Sequence, residues 1–447
     1  MLAPWLCAAL ASAPGASASV VPGGAAPARG IPEAATIVDA PAADPLPAQP
    51  AGSGEEDAEA PRSPALSPPL DPSVLERTPR ATRKRHLVLP LPTLRTEPLI
   101  GFMVGIRLTY AYRPEEDAPN RAFLAVNARA SLRGVHDHGF TLQLHDYLRR
   151  KEVFSLGLGV RIDPVFPYYG FDPAHELDET SIDNREYLNR VDTFSGFFDY
   201  QHPLWRWRPG PGRVAGALRG LVGLAYSVDS IRAGPTSLLR ADHPDALGLT
   251  RRGTLRAGLV WDRRDNEWSP RWGGYHSATA EVGGPWTLSS TGTWARFNLT
   301  ARWYRILFNR DFILANQIVL DGLVGDVPFV PLGQLGVLAP VDAFGGRDVG
   351  RGYIRRRFIG RYKAVYSMEL RFEPVEVKVR RHVVGAGFKL FADVGKVIQP
   401  GEASRRGLLV AGGPGIYVAV DRFSIIRLDA GFSPETVAFY VTGEHTF

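Results

Sequence analysis

Cysteine is all but missing from this sequence. The single Cys7 lies in the first dozen of 447 residues, so a disulfide framework and a cysteine-rich zinc site are both excluded. Long apolar runs are missing too. No stretch reaches the roughly 18–20 apolar residues a membrane-spanning helix needs, which excludes a helical membrane protein but not a membrane barrel, whose strands of about 9–11 residues are only half apolar. A strong charge imbalance is also lacking. The formal net charge is +6, and its basic residues gather at Arg77, Arg80, Arg83, Lys84 and Arg85 and at Arg355–Arg357. These read as local basic patches rather than a nucleic-acid footprint.

Catalytic signatures are equally thin. There is no G-x-S-x-G, and Gly412-Gly413-Pro414-Gly415 is not followed by Lys-Ser/Thr, so it is no phosphate loop. His276 and Ser277 adjoin in sequence, but neighbours on a strand face opposite sides. His136 and His138 read as a polar hairpin tip rather than a metal site. The expectation is a protein without enzymatic activity, cofactor or metal.

Three compositional zones follow. Residues 1–23 carry an apolar core, Leu2–Leu10, then Ala16-Ser17-Ala18, the layout of a secretory signal with a small-residue cleavage site. Residues 24–86 are rich in Ala, Pro, Ser and Gly with an acidic knot at Glu55, Glu56, Asp57 and Glu59. With no hydrophobic period, this stretch cannot bury enough apolar surface to offset ordering entropy and reads as a disordered linker. Its basic end, Arg77–His86, reads as a solvated tether that could touch an anionic membrane surface.

From residue 87 onward the pattern alternates. Phe102, Val104, Ile106, Leu108 and Tyr110 interleave with Gly105, Arg107 and Thr109; Phe297, Leu299 and Ala301 interleave with Arg296, Asn298 and Thr300. Tyr362, Ala364, Tyr366, Met368, Leu370 and Phe372 oppose Lys363, Ser367, Glu369 and Arg371. Period two marks strands, and charge along one face with aromatics at the ends of the other fits a membrane barrel with a polar lumen. About fifteen such segments can be marked between residues 98 and 447. Because bacterial barrels usually have an even strand number, sixteen are expected. The fold class is therefore all-β, a transmembrane antiparallel β-barrel over residues 87–447.

Several motifs interrupt this pattern in a fixed order. A charged strand-to-turn element runs Asp262, Arg264, Asp265, Pro270, Gly273; a glycine-rich loop presents Gly350-Arg351-Gly352-Tyr353; and an acidic strand element reads Phe391, Asp393, Gly395. Tyr168-Tyr169-Gly170 adds an aromatic-glycine element, and Phe439, Val441 and Phe447 form a closing strand that ends in phenylalanine. Together these resemble the barrel of the outer-membrane assembly-factor superfamily, which includes BamA- and TamA-like proteins and bacterial surface antigens. Gly350 stands where an aliphatic residue usually precedes the arginine, and His445 where the terminal signal usually has a second apolar residue. Residues 24–86 are too poor in pattern for a βααββ module, so the chain resembles a short member without POTRA domains.

The resemblance implies that the loop after the eleventh strand folds back into the lumen. Arg351 would then pair with Asp393, and Glu369 would serve as second acceptor. It further implies a weak seam between first and last strands, near Gly101–Tyr112 and Val437–Phe447, at which outer-membrane proteins would be inserted or translocated. Expected partners are the outer-membrane bilayer with its lipopolysaccharide, unfolded outer-membrane protein clients, and the barrel-assembly machinery that reads the Phe439, Val441, Phe447 strand. Nucleic acid is not expected. A passive or gated pore, and a surface antigen or scaffold, are the alternatives. The expected location is the bacterial outer membrane, with the linker in the periplasm.

Overall fold

The computed structural model describes residues 86–447 apart from 113–120, 149–151, 173–176, 178–184, 208–215, 380–381, 402–406, 421–423 and 444. The signal at 1–23, the linker up to residue 85, Cys7 and the basic residues Arg77–Arg85 lie outside the described residues.

Sixteen antiparallel strands close into a barrel. The first nine are β1 (His86–Glu97), β2 (Gly101–Tyr112), β3 (Ala122–Ser131), β4 (His136–His145), β5 (Val153–Pro167), β6 (Leu188–Trp207), β7 (Gly216–Ala233), β8 (Gly248–Asp262) and β9 (Gly273–Gly283). After β10 (Trp294–Ile306) and β11 (Phe312–Gly325), a long loop carries the two-stranded ribbon β12 (Gln334–Leu335) and β13 (Val341–Asp342). The wall resumes with β14 (Tyr362–Val379), β15 (His382–Ile398), β16 (Leu409–Val420), β17 (Ser424–Phe432) and β18 (Val437–Gly443), which meets β1.

The burial pattern is that of a soluble protein turned inside out. On β10, Phe297 and Leu299 are exposed while Arg296, Asn298 and Thr300 are buried; on β14, Tyr362 and Tyr366 are exposed while Lys363, Ser367, Glu369 and Arg371 are buried. Apolar side chains on the outside suit hydrocarbon, and closure leaves every wall strand a neighbour on both sides. His276 and Ser277 of β9 face opposite ways, exposed and buried respectively. His136 and His138 sit side by side within β4 rather than at a hairpin tip.

Wall height varies around the ring. β6 has 20 residues and β7 has 18, whereas β17 has 9 and β18 only 7. A tilted strand needs about 9–11 residues to cross the hydrocarbon, so the wall is lowest at its last strands. One mouth, the loop rim, is capped by the loops after β5, β7 and β11. There Phe166, Tyr168, Val191, Ile231, Leu239, Phe329 and Ile359 form one apolar cluster around the short helices α1 (Leu238–Asp242) and α2 (Phe329–Leu332). The opposite mouth is the turn rim.

The first strand is not the one the alternation suggests. Gly101–Tyr112 is β2, and the strand ahead of it is β1, whose twelve residues pair in register with β2 from His86↔Tyr112 to Glu97↔Gly101. Pro90, Pro92 and Pro98 hide it, because proline lacks the ladder N–H and demotes a run that otherwise reads as a strand. The outward positions Pro90 and Pro92 alternate with half-buried Leu89 and Leu91. Proline is tolerated here because β1 is the strand that borders the weakly paired closure.

Candidate functional site

The loop between β11 and β14 descends into the lumen, and its tip is held by charge. The Arg351 side chain is fully buried. Its Nε and Nη2 donate to Asp393 Oδ2 and Oδ1 at 2.9 and 3.1 Å, and its Nη1 donates to Glu369 Oε1 at 2.6 Å. The guanidinium lies 3.7 Å from the centre of the Phe391 ring. So the phenylalanine and aspartate of the acidic strand element clasp one arginine through stacking and a fork. Lys389 Nζ joins Glu369 and Asp429 at 3.0 Å each, while Arg371 reaches Glu369 at 2.8 Å and Arg427 reaches Asp429 at 3.0 Å. Four buried cations thus share three carboxylates, a network in which removing one member strands the rest.

The glycines of these motifs answer to close approach. Gly352 has φ +124°, and a Cβ there would lie 2.6 Å from the Phe432 carbonyl carbon on β17. At Gly395 a Cβ would enter the space taken by the Phe344 ring. That ring anchors the loop, packing with Tyr353 and Phe358 against Val319, Val365, Val397, Leu409 and Ala411 of the wall. Gly350 has φ +67°, which a β-branched residue in its place would strain. The main chain of the tip also reads the last strand: Gly352 N donates to Tyr440 Oη at 3.1 Å, and that hydroxyl donates to the Tyr353 carbonyl at 3.2 Å.

The Arg355–Arg357 cluster, which reads as a basic patch in the sequence, is inside the barrel. Arg355 joins Asp163 of β5 and Asp342 at 2.8 Å each, Arg356 joins Asp342 at 2.5 Å, and Arg357 joins Glu435 at 2.8 Å. Burial alone would raise the Asp342 carboxyl. Arg355 and then Arg356 outweigh it and hold that group well below the usual carboxylate range. Asp348 is half-buried, and Arg347 and then Arg427 hold it low against the raising effect of burial.

The strand-to-turn motif makes a separate structure at the turn rim. Arg264 forks onto Asp262 at 2.9 and 2.7 Å, and Asp265 Oδ1 accepts the Arg271 and Trp272 amides at 2.9 and 3.0 Å. At Gly273, φ is +102° and a Cβ would collide with the Arg263 carbonyl. These charges stiffen the turn so that it folds inward instead of outward. Pro270 and Ser269 are buried, Trp268 packs on Phe123 of β3 with ring centres 4.9 Å apart, and Arg271 grips Glu373 at 2.5 Å. The lumen is therefore crossed from both mouths.

The closing strand is the clearest departure. Phe439 is exposed on the outer face of β18, but pairing stops at Gly443. Phe447 turns into the lumen, 6% exposed, against Tyr304 and Ala315. Arg371 Nη2 donates to its main-chain carbonyl at 3.0 Å, and Thr446 hydrogen-bonds Glu369 at 3.2 Å and Arg427 more tightly. Phe439, Val441 and Phe447 do not form one strand face. Between β1 and β18 the single register pair among the described residues is Thr96↔Val441, against twelve between β1 and β2 from His86 to Glu97. The low wall and the sparse ladder coincide there, beside the loop tip bound by Tyr440.

Lys389, Tyr440 and Phe344 complete the site without having stood out in the sequence, together with Arg427 and Asp429 of the stretch Ile426-Arg427-Leu428-Asp429-Ala430-Gly431. A charge at the inward parity of an otherwise apolar strand was the available signal for Lys389. Tyr168, Tyr169 and Gly170 belong to the loop-rim cap, where Tyr168 donates to Asp242 at 3.1 Å.

Comparison with known proteins bears on this arrangement. The model of the Omp85 superfamily domain matches residues 149–430, more than half of the chain. No curated protein matches it. Among solved structures, CdiB from Escherichia coli superposes with a TM-score of 0.51 at 13% identity, over 81% of this chain and 63% of that one. BamA from Haemophilus ducreyi lacking POTRA domains 1–3 gives 0.48 at 11% identity, over 81% and 70%. CdiB from Acinetobacter baumannii gives 0.44 at 12% identity, over 81% and 60%. The chain spans less than two thirds of either CdiB; the Escherichia coli likeness is one of fold.

Proposed function

The chain belongs to the Omp85 superfamily, and from that membership we propose that this outer-membrane barrel assists the insertion or translocation of outer-membrane polypeptides through its β1–β18 seam. The observation that carries the reading is the single register pair Thr96↔Val441 at the lowest part of the wall. An unpaired strand edge templates another chain's strand, and here β1 holds most of such an edge from His86 to Arg95. A short β18 also favours local thinning of the bilayer beside it, which lowers the barrier to lateral passage. On this reading the turn rim and the segment before His86 face the periplasm, lipopolysaccharide surrounds the loop rim, and the barrel-assembly machinery inserts this barrel in turn. No step needs a cofactor or a catalytic group.

A passive pore is the competing function. Buried ion pairs of the Arg351 tip, the inward turn at Trp268 and the tail at Phe447 speak against it, since each fills lumen that a steady conductor leaves open. A scaffold role would leave the sparse seam without use.

The decisive test is depletion in the native cell followed by quantitative outer-membrane proteomics. Loss of a subset of barrel or surface proteins, with restoration by the wild-type chain but not by a seam-locked variant, is the expected result. An unchanged outer-membrane proteome overturns the proposal.

A further inference from the structure

The tallest strands carry charge where their outer face leaves the apolar band. On β6 the exposed Phe194, Phe198 and Leu204 cover about the 9–11 residues that cross hydrocarbon. Nearer the loop rim, the same outward parity brings Asp192 and then Arg190. Arg190 is the register partner of Arg232 on β7, and the two side chains are 44% and 65% exposed. On β8 the outward Arg251, level with Val228 of β7, is exposed as well.

Like charges directly opposite each other on a sheet repel. Asp192 is the one carboxylate paired with either arginine among the described residues, and it serves them unequally: it lies 2.9 Å from Arg190 Nε but 4.0 Å from Arg232 Nη2. Arg240 of α1 adds a third guanidinium, donating to the Ala233 and Gly234 carbonyls just past Arg232 at 2.7 and 2.9 Å. Asp242 is turned to the Tyr168 hydroxyl, and Asp245 lies in the next turn.

The connection between β9 and β10 borders this face. Gly253 of β8 shares the outward parity of Arg251 and Leu255, and a Cβ there would strike the Thr287 carbonyl oxygen. The connection therefore lies against the outer wall instead of over the lumen. Ser289 and Ser290 hydroxyls accept the Gly253 and Arg251 amides at 3.1 and 2.9 Å, and Trp286 and Leu288 are left exposed. Arginines above an apolar wall, with an indole at the boundary, match a lipid with an anionic headgroup better than a soluble anion. Guanidinium forks fit phosphate oxygens, and a phosphate between Arg190 and Arg232 relieves their repulsion.

We propose that the loop-rim end of β6–β8 is a binding site for a phosphorylated glycolipid of the surrounding leaflet, with Arg190 and Arg232 gripping a headgroup phosphate and the acyl chains lying on the apolar rows below. Arg251 and Trp286 border the headgroup on the β8 side.

The test presents the purified full chain, in phosphatidylcholine nanodiscs, with bisphosphorylated lipid A, the same lipid stripped of phosphate, phosphatidylglycerol and inorganic pyrophosphate, and reads binding by native mass spectrometry. Lipid A is expected to be held at least about tenfold more tightly than its dephosphorylated form. Arg190→Gln with Arg232→Gln is expected to remove that preference. Arg305→Gln with Arg310→Gln, an equal loss of exposed charge at the turn rim, is expected to leave it. Equal binding of the two lipid A forms, or equal loss in both double variants, overturns the proposal. So does phosphatidylglycerol or pyrophosphate binding as tightly as lipid A, which makes the patch a general anion surface.

A further variant strengthens the site instead of damaging it. Asp192→Asn removes the carboxylate that competes for Arg190, so lipid A should bind several-fold more tightly. Unchanged or weaker binding by the folded variant refutes the phosphate grip. The proposal takes from the functional reading only that the loop rim faces the cell exterior. Thr236→Cys in a Cys7→Ser background, labelled by an impermeant maleimide on intact cells, tests that separately, since Thr236 is exposed between β7 and α1. Labelling without discrimination among the lipids removes this inference alone. Discrimination in nanodiscs without labelling removes the orientation and the functional reading built on it, and leaves the site.

Discussion

Thr96 on β1 and Val441 on β18 are the one register pair joining the first and last strands among the described residues. Everything the barrel could do sideways passes through that contact. The two positions are cross-strand partners, and such pairs come within the roughly 4.4–6.8 Å between α-carbons that a disulfide requires. Thr96→Cys with Val441→Cys, in a Cys7→Ser background, should therefore crosslink on oxidation and leave a folded barrel. Client insertion into vesicles should fall at least about tenfold when the pair is oxidised and recover on reduction, because a covalent seam cannot expose its edges. Full activity in the oxidised state would show that opening at this seam is not needed.

The Arg351–Asp393 fork predicts a charge-swap pattern. Arg351→Glu places a carboxylate against Asp393 and Glu369, which lie 2.9 and 2.6 Å from the present guanidinium. Losing one partner of such a buried pair costs about 3–5 kcal/mol. Thermal unfolding followed by heat-modifiable gel mobility should register that loss, and Asp393→Arg added to it should recover part. A single mutant as stable as wild type would remove the pairing as an anchor of the loop.

Gly395 predicts a steric coupling rather than an electrostatic one. Gly395→Ala drives a methyl group into the Phe344 ring, and overpacking of that kind costs about 1–3 kcal/mol. Phe344→Ala alone should destabilise by about 3–5 kcal/mol through the cavity it leaves. The double mutant should be more stable than the sum of the two losses predicts, since the methyl then enters vacated space. Strict additivity would mean that the glycine is needed for some reason other than the ring.

These two contacts also mark how far the sequence could be read. Alternation with charge on one side, as at Lys363, Ser367, Glu369 and Arg371, defines a strand without any tertiary knowledge, so about fifteen strands were accessible and the even count usual in bacterial barrels supplied the sixteenth. That Arg351 meets Asp393 and Glu369 came from the family resemblance, with which the inward parity of the two carboxylates agrees. β1 was not accessible, because Pro90 and Pro92 imitate a linker and their tolerance depends on a neighbour that hardly pairs. Nor was the inward turn of Phe447: parity along β18 puts it on the outer face, and only Arg371 and its packing on Tyr304 and Ala315 across the lumen reverse that. Local pattern encodes the wall; what fills the lumen depends on contacts between strands far apart in sequence.

The arginine cluster at the loop rim sets an acid limit. Asp342 and Asp348 are held below the ordinary carboxylate value of about 3.9 by Arg355 and Arg347 respectively. A carboxyl whose folded value is depressed contributes stability that is fully present above its unfolded value and is lost as pH falls through the folded one. The loop should therefore stay docked from neutral pH down to about pH 4 and release only below it. Asp342→Asn should destabilise the loop at neutral pH by about 3–5 kcal/mol, because Arg355 and Arg356 lose a shared acceptor, and should flatten the acid transition. Protease sensitivity of the loop across pH 7 to 2 reads both effects; release between pH 7 and 5 would contradict them.

Conductance separates a plugged barrel from a pore. The lumen is crossed from the loop rim by the segment around Arg351 and from the turn rim by Trp268, whose ring rests on Phe123. The two obstructions lie in series, so clearing one leaves the other in the path. In planar bilayers the wild-type chain should show small, irregular currents, and Trp268→Ala should change them little despite losing an aromatic contact worth about 0.5–1.5 kcal/mol. Replacing residues 345–357 with a short Gly-Ser linker should raise conductance several-fold only when combined with Trp268→Ala. Large, steady channels from the wild-type chain would mean that neither segment stays in the lumen and would favour the pore reading. An increase from the loop replacement alone would show instead that the turn at Trp268 leaves a passage around it, and that the Arg351 segment is the sole seal.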